Sequence, residues 1–189
     1  AARSEIFNAV LAARIDEGHW HDGVDGEVWM LEGTHSVFGP EAISDELRER
    51  AHRLDIHPTG AMWGKGELRS GGVAAEIERD AAEPFADLRA GLEAAGMKQE
   101  RRALRVRVGD VAWEWLEAGV LRLAFELPAG AYATEVLAEL GIAAAFGDIG
   151  FQGAEAGHPG RGEHVEIGMG RTRRRWRRAA MFLSESALS

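Results

Sequence analysis

The sequence predicts an α+β fold in which helices pack on an antiparallel or mixed sheet. Three observations carry that prediction: an opening stretch with apolar residues at helical spacing, three later runs that alternate with period two, and short Gly-Asp and Ala-Gly turns between those runs.

The elements follow in order. Phe7, Val10, Leu11 and Ile15 fall on one face of a helix that Gly18 is placed to stop. His19 to Gly23 reads as a loop, and Glu27-Val28-Trp29-Met30-Leu31 as a short strand. Gly39-Pro40 predicts a helix over about 41–54, because proline is favoured in a first helical turn. Residues 57–66 hold Pro58, Gly60, Gly64 and Gly66, which predicts an ordered loop. Two helices are expected over 73–82 and 84–95, with Gly96 as the C-terminal cap. From Arg101 the period changes. Residues 103–108, 111–116 and 120–125 alternate and predict an antiparallel meander, closed by Leu127-Pro128-Ala129-Gly130 and a short helix over 131–140. Residues 146–170 are Gly-rich with little periodicity.

At 189 residues, 46% hydrophobic and 28% charged, the chain has material for one large domain or two small ones with a real core. It holds no apolar run of membrane-spanning length, so a cytoplasmic protein without a membrane partner is expected. The lack of cysteine excludes disulfides, thiolate catalysis and thiolate zinc sites. The net charge of −9 conceals an asymmetry. Residues 1–160 carry 15 Lys+Arg against 28 Asp+Glu, and residues 161–189 carry 7 against 3. An acidic body repels nucleic acid in bulk, so any RNA contact has to be local and basic.

Few side-chain patterns point to chemistry. His19, His21 and His35 lie in loops without partners at metal-ligand spacing, so no metal is expected. Gly64-Lys65-Gly66 lacks the hydroxyl residue and the spacing of a phosphate-binding loop, because Glu67 stands in that place. An ordered loop anchored by Trp63, with Lys65 turned to a phosphate, is the better reading. Trp113 and Trp115 share one strand face. Base stacking is one use for them, but packing beneath helices is preferred, since a covered sheet face needs bulk. The run Arg171 to Arg178 with Trp176 inside it is the strongly basic patch. Phosphate contact with stacking and a solvated tail account for it equally well. No Ser/His/Asp set and no dinucleotide fingerprint occurs, so chemistry alone does not disclose a function.

Two end motifs carry a resemblance. Ala1-Ala2-Arg3-Ser4-Glu5-Ile6-Phe7-Asn8 and Leu127-Pro128-Ala129-Gly130-Ala131-Tyr132-Ala133-Thr134 stand in order, with a Pro-Gly-Trp-Gly loop and Glu100-Arg101-Arg102 between them. Over residues 1–141 the chain resembles the carboxy-terminal part of TruD-family tRNA pseudouridine synthases, whose name points to position 13 of tRNA. The resemblance implies an isomerase that breaks the uracil–ribose bond and rejoins the base through carbon, using an aspartate and neither cofactor nor metal. It also implies a pseudouridine-synthase-like portion over 1–25 and 101–145 and an inserted α/β TRUD subdomain over 26–100. Residues 146–189 remain as a Gly/Arg-rich tail. Joining Leu188-Ser189 to Ala1-Ala2-Arg3-Ser4 would restore a family-like string, so the tail is read as a rearranged family segment, with a shifted frame or an unrelated extension as the alternatives.

The family's catalytic aspartate sits in a Gly-x-Lys-Asp motif that this sequence does not contain, and Asp148 in Phe146-Gly147-Asp148 does not resemble it. No catalytic residue is therefore assigned. Tyr132 matches the family aromatic that lines the base pocket, and on the rearranged reading of the tail Phe146 is the candidate for a second one. Lys65, Arg173, Arg174, Arg175 and Trp176 complete the expected RNA-binding set, with tRNA as partner. Arg3 and Asn8 match family positions with structural roles. Whether a complementing chain carries the catalytic half stays open, and a non-catalytic RNA-binding module is the alternative.

Overall fold

The first helix, α1, spans Ala2–Asp16 in the computed structural model, which describes residues 2–117, 120–128, 131, 133, 136–137, 149–152 and 163–168. Its buried face is Ile6, Phe7, Val10 and Arg14, not the expected Phe7, Val10, Leu11 and Ile15, and Ile15 is 52% exposed. The stripe Ile6–Val10–Arg14 repeats every four residues. It ends on a charge because a carboxylate lies opposite, as described below.

Residues 1–106 and 107–189 form two compact units. The first holds a four-stranded antiparallel sheet in the order β2-β1-β3-β4, with β1 at Glu27–Leu31, β2 at Val37–Glu41, β3 at Ile56–Met62 and β4 at Glu100–Ala103. Helix α2 covers Asp45–His52, α3 Gly72–Ala82 and α4 Ala86–Ala94, the last two joined by a 3-10 turn over Glu83–Phe85. Helix α1 packs on α3 and β3. Gly60 of β3 admits it, since a Cβ there would meet the Phe7 ring at 3.0 Å and Leu104 at 3.1 Å.

Three expectations fail here. The helix expected over 41–54 is shorter, because Gly39 and Pro40 belong to β2. Ser44 caps α2 instead, its Oγ accepting the Leu47 N–H at 3.2 Å, with Asp45 and Glu46 in the first turn where the helix dipole favours acids. The loop expected over 57–66 is in its first part the inner strand β3. Residues Ile56 to Pro58 pair with β1, and Thr59 to Met62 pair with β4. Pro58 donates nothing to the ladder, but its carbonyl still accepts the Leu104 N–H at 2.9 Å. The run over 103–108 is not the first strand of a meander; the pairing strand is β4, bound to β3, and the chain then leaves the sheet.

The second unit carries β5 at Gly109–Glu117, β6 at Val120–Glu126, β7 at Ile149–Gln152 and β8 at Glu163–Gly168. They form an antiparallel sheet in the order β5-β6-β8-β7. The β5–β6 hairpin agrees with the alternation. Within the Gly-rich stretch that lacked periodicity, β7 and β8 add strands, and β8 pairs along β6 from Val120 to Phe125. Leu123 and Phe125 are buried with Ala133 and Leu137, and Ala133, Val136 and Leu137 are helical. Among the described residues no helix is long and apolar enough to cross a membrane.

Candidate nucleic-acid interface

The segment Trp63-Gly64-Lys65-Gly66 leaves the end of β3, and three devices fix it. Trp63 packs with Ile6 and Ala82 beneath Leu68, Phe85, Leu88 and Leu92. Its Nε1–H donates to Glu93 Oε1 at 3.0 Å, and the Arg89 guanidinium lies 5.2 Å from the ring centroid. Gly64 then passes against the backbone before β4. A Cβ at Gly64 would stand 2.4 Å from the Lys98 carbonyl carbon and oxygen, so only glycine fits. Beyond it, the Lys65 N–H donates to Met97 O at 2.5 Å and Gln99 N–H to Lys65 O at 3.4 Å, which makes Lys65 and Lys98 partners in a parallel bridge.

Arg3 ties the same region from α1. Its Nη2 donates to Met62 O at 2.9 Å and Lys98 O at 3.0 Å and pairs with Glu100 at 2.9 Å. Its role is to hold two backbone segments together. Asn8 is exposed on the outer side of the helix.

A buried ionic network supports the sheet beneath this segment. Arg101 Nη1 and Nη2 donate to Glu78 Oε2 at 2.9 Å and Oε1 at 2.6 Å, and Ser70 Oγ donates to Oε2 at 2.7 Å. Arg101 also donates to Thr59 O and Oγ1, each at 2.9 Å. Thr59 Oγ donates in turn to Val28 O. The second pair is Arg14 with Glu27, both side chains wholly buried. Glu27 Oε1 also accepts from Val28 N–H at 3.2 Å and Thr59 N–H at 3.4 Å. Burial raises the Glu27 carboxyl above the ordinary range, and the Arg14 charge pulls the other way without cancelling it.

A third polar cluster closes the far end of the sheet. Arg105 Nη2 donates to Ala51 O and, at 3.1 Å, to Ile56 O, while its Nε–H donates to His57 Nδ1 at 3.1 Å. His57 Nε2 meets Glu32. With Nδ1 accepting from arginine, Nε2 carries the proton and donates to the carboxylate. Burial lowers the Arg105 pKa, and Asp22 and Glu32 act in the opposite direction. This cluster joins α2 to β3 and closes the chain's exit from β4. His21 and His52 both approach Asp22, at 3.3 and 3.6 Å, but among the described residues no group of His, Asp and Glu is arranged to hold a metal ion.

Of the expected RNA-binding residues, Lys65 is exposed at this segment. Tyr132, Phe146, Arg173, Arg174, Arg175 and Trp176 lie outside the described residues, as does Asp148. The expectation for Trp113 and Trp115 is overturned: they are 42% and 48% exposed. They lie on edge strand β5, with Trp113 opposite Leu123, and the described helical residues pack over Leu123 and Phe125 of β6. Sequence reasoning missed Lys98. The signal for it was Gly96, whose φ of 73° turns the chain out of α4 towards Gly64.

The model of the family "tRNA pseudouridine synthase D (TruD)" matches residues 1–140. A tRNA pseudouridine synthase D of Xanthomonas axonopodis pv. citri is 56% identical over 143 residues, covering 75% of this chain and 39% of the relative. One of Methylococcus capsulatus is 42% identical over 140 residues, covering 74% and 40%. This chain thus spans about two-fifths of the length of the curated relatives it matches. The crystal structure of a TruD from Methanosarcina mazei superimposes with a TM-score of 0.53 at 22% identity, over 72% of this chain and 36% of that one, a likeness of fold.

Proposed function

This chain belongs to the TruD family of tRNA pseudouridine synthases, and we propose that it serves uridine-to-pseudouridine isomerisation in tRNA by holding the RNA. The observation that carries the reading is the family match over residues 1–140, at up to 57% identity to relatives of that name. In the reaction the bond from ribose C1′ to uracil N1 breaks, one from C1′ to C5 forms, and the hydrogen leaves C5 while N1 gains one. The family resemblance assigns that step to an aspartate. The chain has two lysines, followed by Gly66 and Gln99, so the family's Lys-Asp pair occurs nowhere in it. The aspartate is accordingly supplied by a stretch outside this sequence.

Within this reading, Tyr132 stacks on the target base and Phe146 forms the other wall. Lys65, Arg173, Arg174 and Arg175 contact RNA phosphates, and Trp176 stacks on a base. Residues 26–100 act as the inserted subdomain that grips tRNA, beside synthase-domain portions over 1–25 and 101–145. The test is pseudouridine formation on unmodified tRNA at low salt, with this chain alone and with the family's amino-terminal portion added. No product alone and product on addition is the expected result. Product from this chain alone would defeat the supplied-aspartate reading and make Asp148 the first residue to substitute.

A further inference from the structure

We infer that Lys65 and Lys98 form a two-ammonium clamp that closes on one backbone phosphodiester of the bound RNA. The inference rests on the tRNA reading above and adds a residue and a chemistry to it. Of the 22 Lys+Arg in the chain, two are lysines, and those two are the partners of one parallel bridge. Bridge partners stand about 5 Å apart at the backbone with side chains on the same side, so both ammoniums can reach one anion.

The arrangement is enforced by structure. Gly64 permits the close backbone approach, the Lys65 N–H donates to Met97 O at 2.5 Å, and Arg3 holds the Lys98 carbonyl at 3.0 Å. Two like charges set side by side repel unless an anion sits between them. Both lysines are exposed, and neither side chain has an ion pair or hydrogen bond among the described residues. The arginines around them are occupied. Arg3 binds carbonyls and Glu100, Arg89 lies over Trp63, Arg101 holds Glu78, and Arg102 lies over Phe7 at 5.5 Å. Glu67 and Glu93 are acids near these lysines in the sequence. Glu93 accepts from Trp63, and among the described residues Glu67 pairs with neither lysine.

The background sharpens the reading. Residues 1–106 carry 13 Lys+Arg against 20 Asp+Glu, a net −7, so the surface as a whole repels RNA. A contact there needs a local pair of cations. Lysine is suited to it as a flexible point charge with three donors, and it reads no base. The clamp therefore fixes the position of the RNA without selecting its sequence.

The test uses the full chain and unmodified tRNA at low salt. Because the two lysines are the only ones, side-chain acetylation by an amine reagent reports on this site alone, apart from the amino terminus. Both should be protected when tRNA is bound. The slope of log affinity against log salt should then fall by about one unit in the Lys65→Ala/Lys98→Ala double variant, because a shared phosphate is one contact. Lys65→Arg/Lys98→Arg should keep the slope. A fall of about two units would mean two separate phosphates and overturn the shared clamp. Tight binding with both lysines still acetylated, or an unchanged slope, would overturn the site and leave the tRNA reading standing. A chain that binds no tRNA would overturn both.

Discussion

The two units of this chain are held by different chemistry. In residues 1–106 the sheet is pinned by charges taken out of water: Arg14 on Glu27, Arg101 on Glu78, and Arg105 on backbone carbonyls and His57. In residues 107–189 the described core is apolar, with Leu123, Phe125, Ala133 and Leu137, and an ion pair among the described residues, Glu114 with Arg122, lies at the surface. A buried ion pair seldom adds stability over a well-packed apolar substitute. We expect it to add intolerance of any other pairing here, since a slipped register would leave an uncompensated charge inside. The first unit needs that, because its inner strand Ile56-His57-Pro58-Thr59-Gly60-Ala61-Met62 has little intrinsic preference for a sheet.

The comparison is broken most forcefully at Arg101. Arg101→Met should cost about 3–5 kcal/mol in urea unfolding, because Glu78 then stays buried with Ser70 as its remaining side-chain donor. Adding Glu78→Met should restore most of that loss, as the charge and its partner leave together. If the double variant is no better than the single one, the pair is not what pins β4 to α3.

In the second unit the matching change is Leu123→Ala, which should cost about 3 kcal/mol through lost transfer and a residual cavity. Amide exchange in peptides from β6 reads it directly. A loss under about 1 kcal/mol would mean that the Leu123 cluster is too loosely packed to be a core.

Glu27 gives a finer contrast through pH. Burial raises its folded pKa, so the folded state holds a proton that the unfolded chain has released. Its contribution is fully present below the ordinary carboxylate range and is lost as pH rises through the raised value. The stability difference between the unsubstituted chain and Glu27→Gln should therefore shrink with rising pH, measured by urea unfolding at several pH values. A difference that grows would show that Arg14 outweighs burial and that the carboxylate is the preferred form.

How much of this was legible in the sequence follows the same division. Helices α1, α3 and α4, the strand Glu27–Leu31 and the β5–β6 hairpin were readable because each carries its own periodicity or cap. Strand β3 was not, since Pro58 and Gly60 spell a loop locally and its partners on both sides are long-range. Arg14 was unreadable for a related reason: nothing nearby in sequence announces that Glu27 will meet it. The exposure of Trp113 and Trp115 depends on β5 being an edge, a property of strand order that alternation does not encode. Of the candidate site, Lys65 could be named from its glycines, whereas Lys98 became visible when the bridge placed it beside Lys65.

The smallest effect tests the comparison from the other side. Glu114 and Arg122 face each other across β5 and β6, with N···O at 2.7 Å and both side chains near half exposure. Water solvates them in either state and salt screens them, so Glu114→Gln should cost about 0.2–1 kcal/mol and less at high salt. Such a value, against several kcal/mol for Arg101→Met, is the difference between an ion pair that decorates a sheet and one that locks a helix onto it. If Glu114→Gln instead costs as much as Arg101→Met, at low and high salt alike, the second unit also depends on a charge to set its register. The contrast between an ionic and an apolar unit would then fail, and both sheets would have to be explained by one rule.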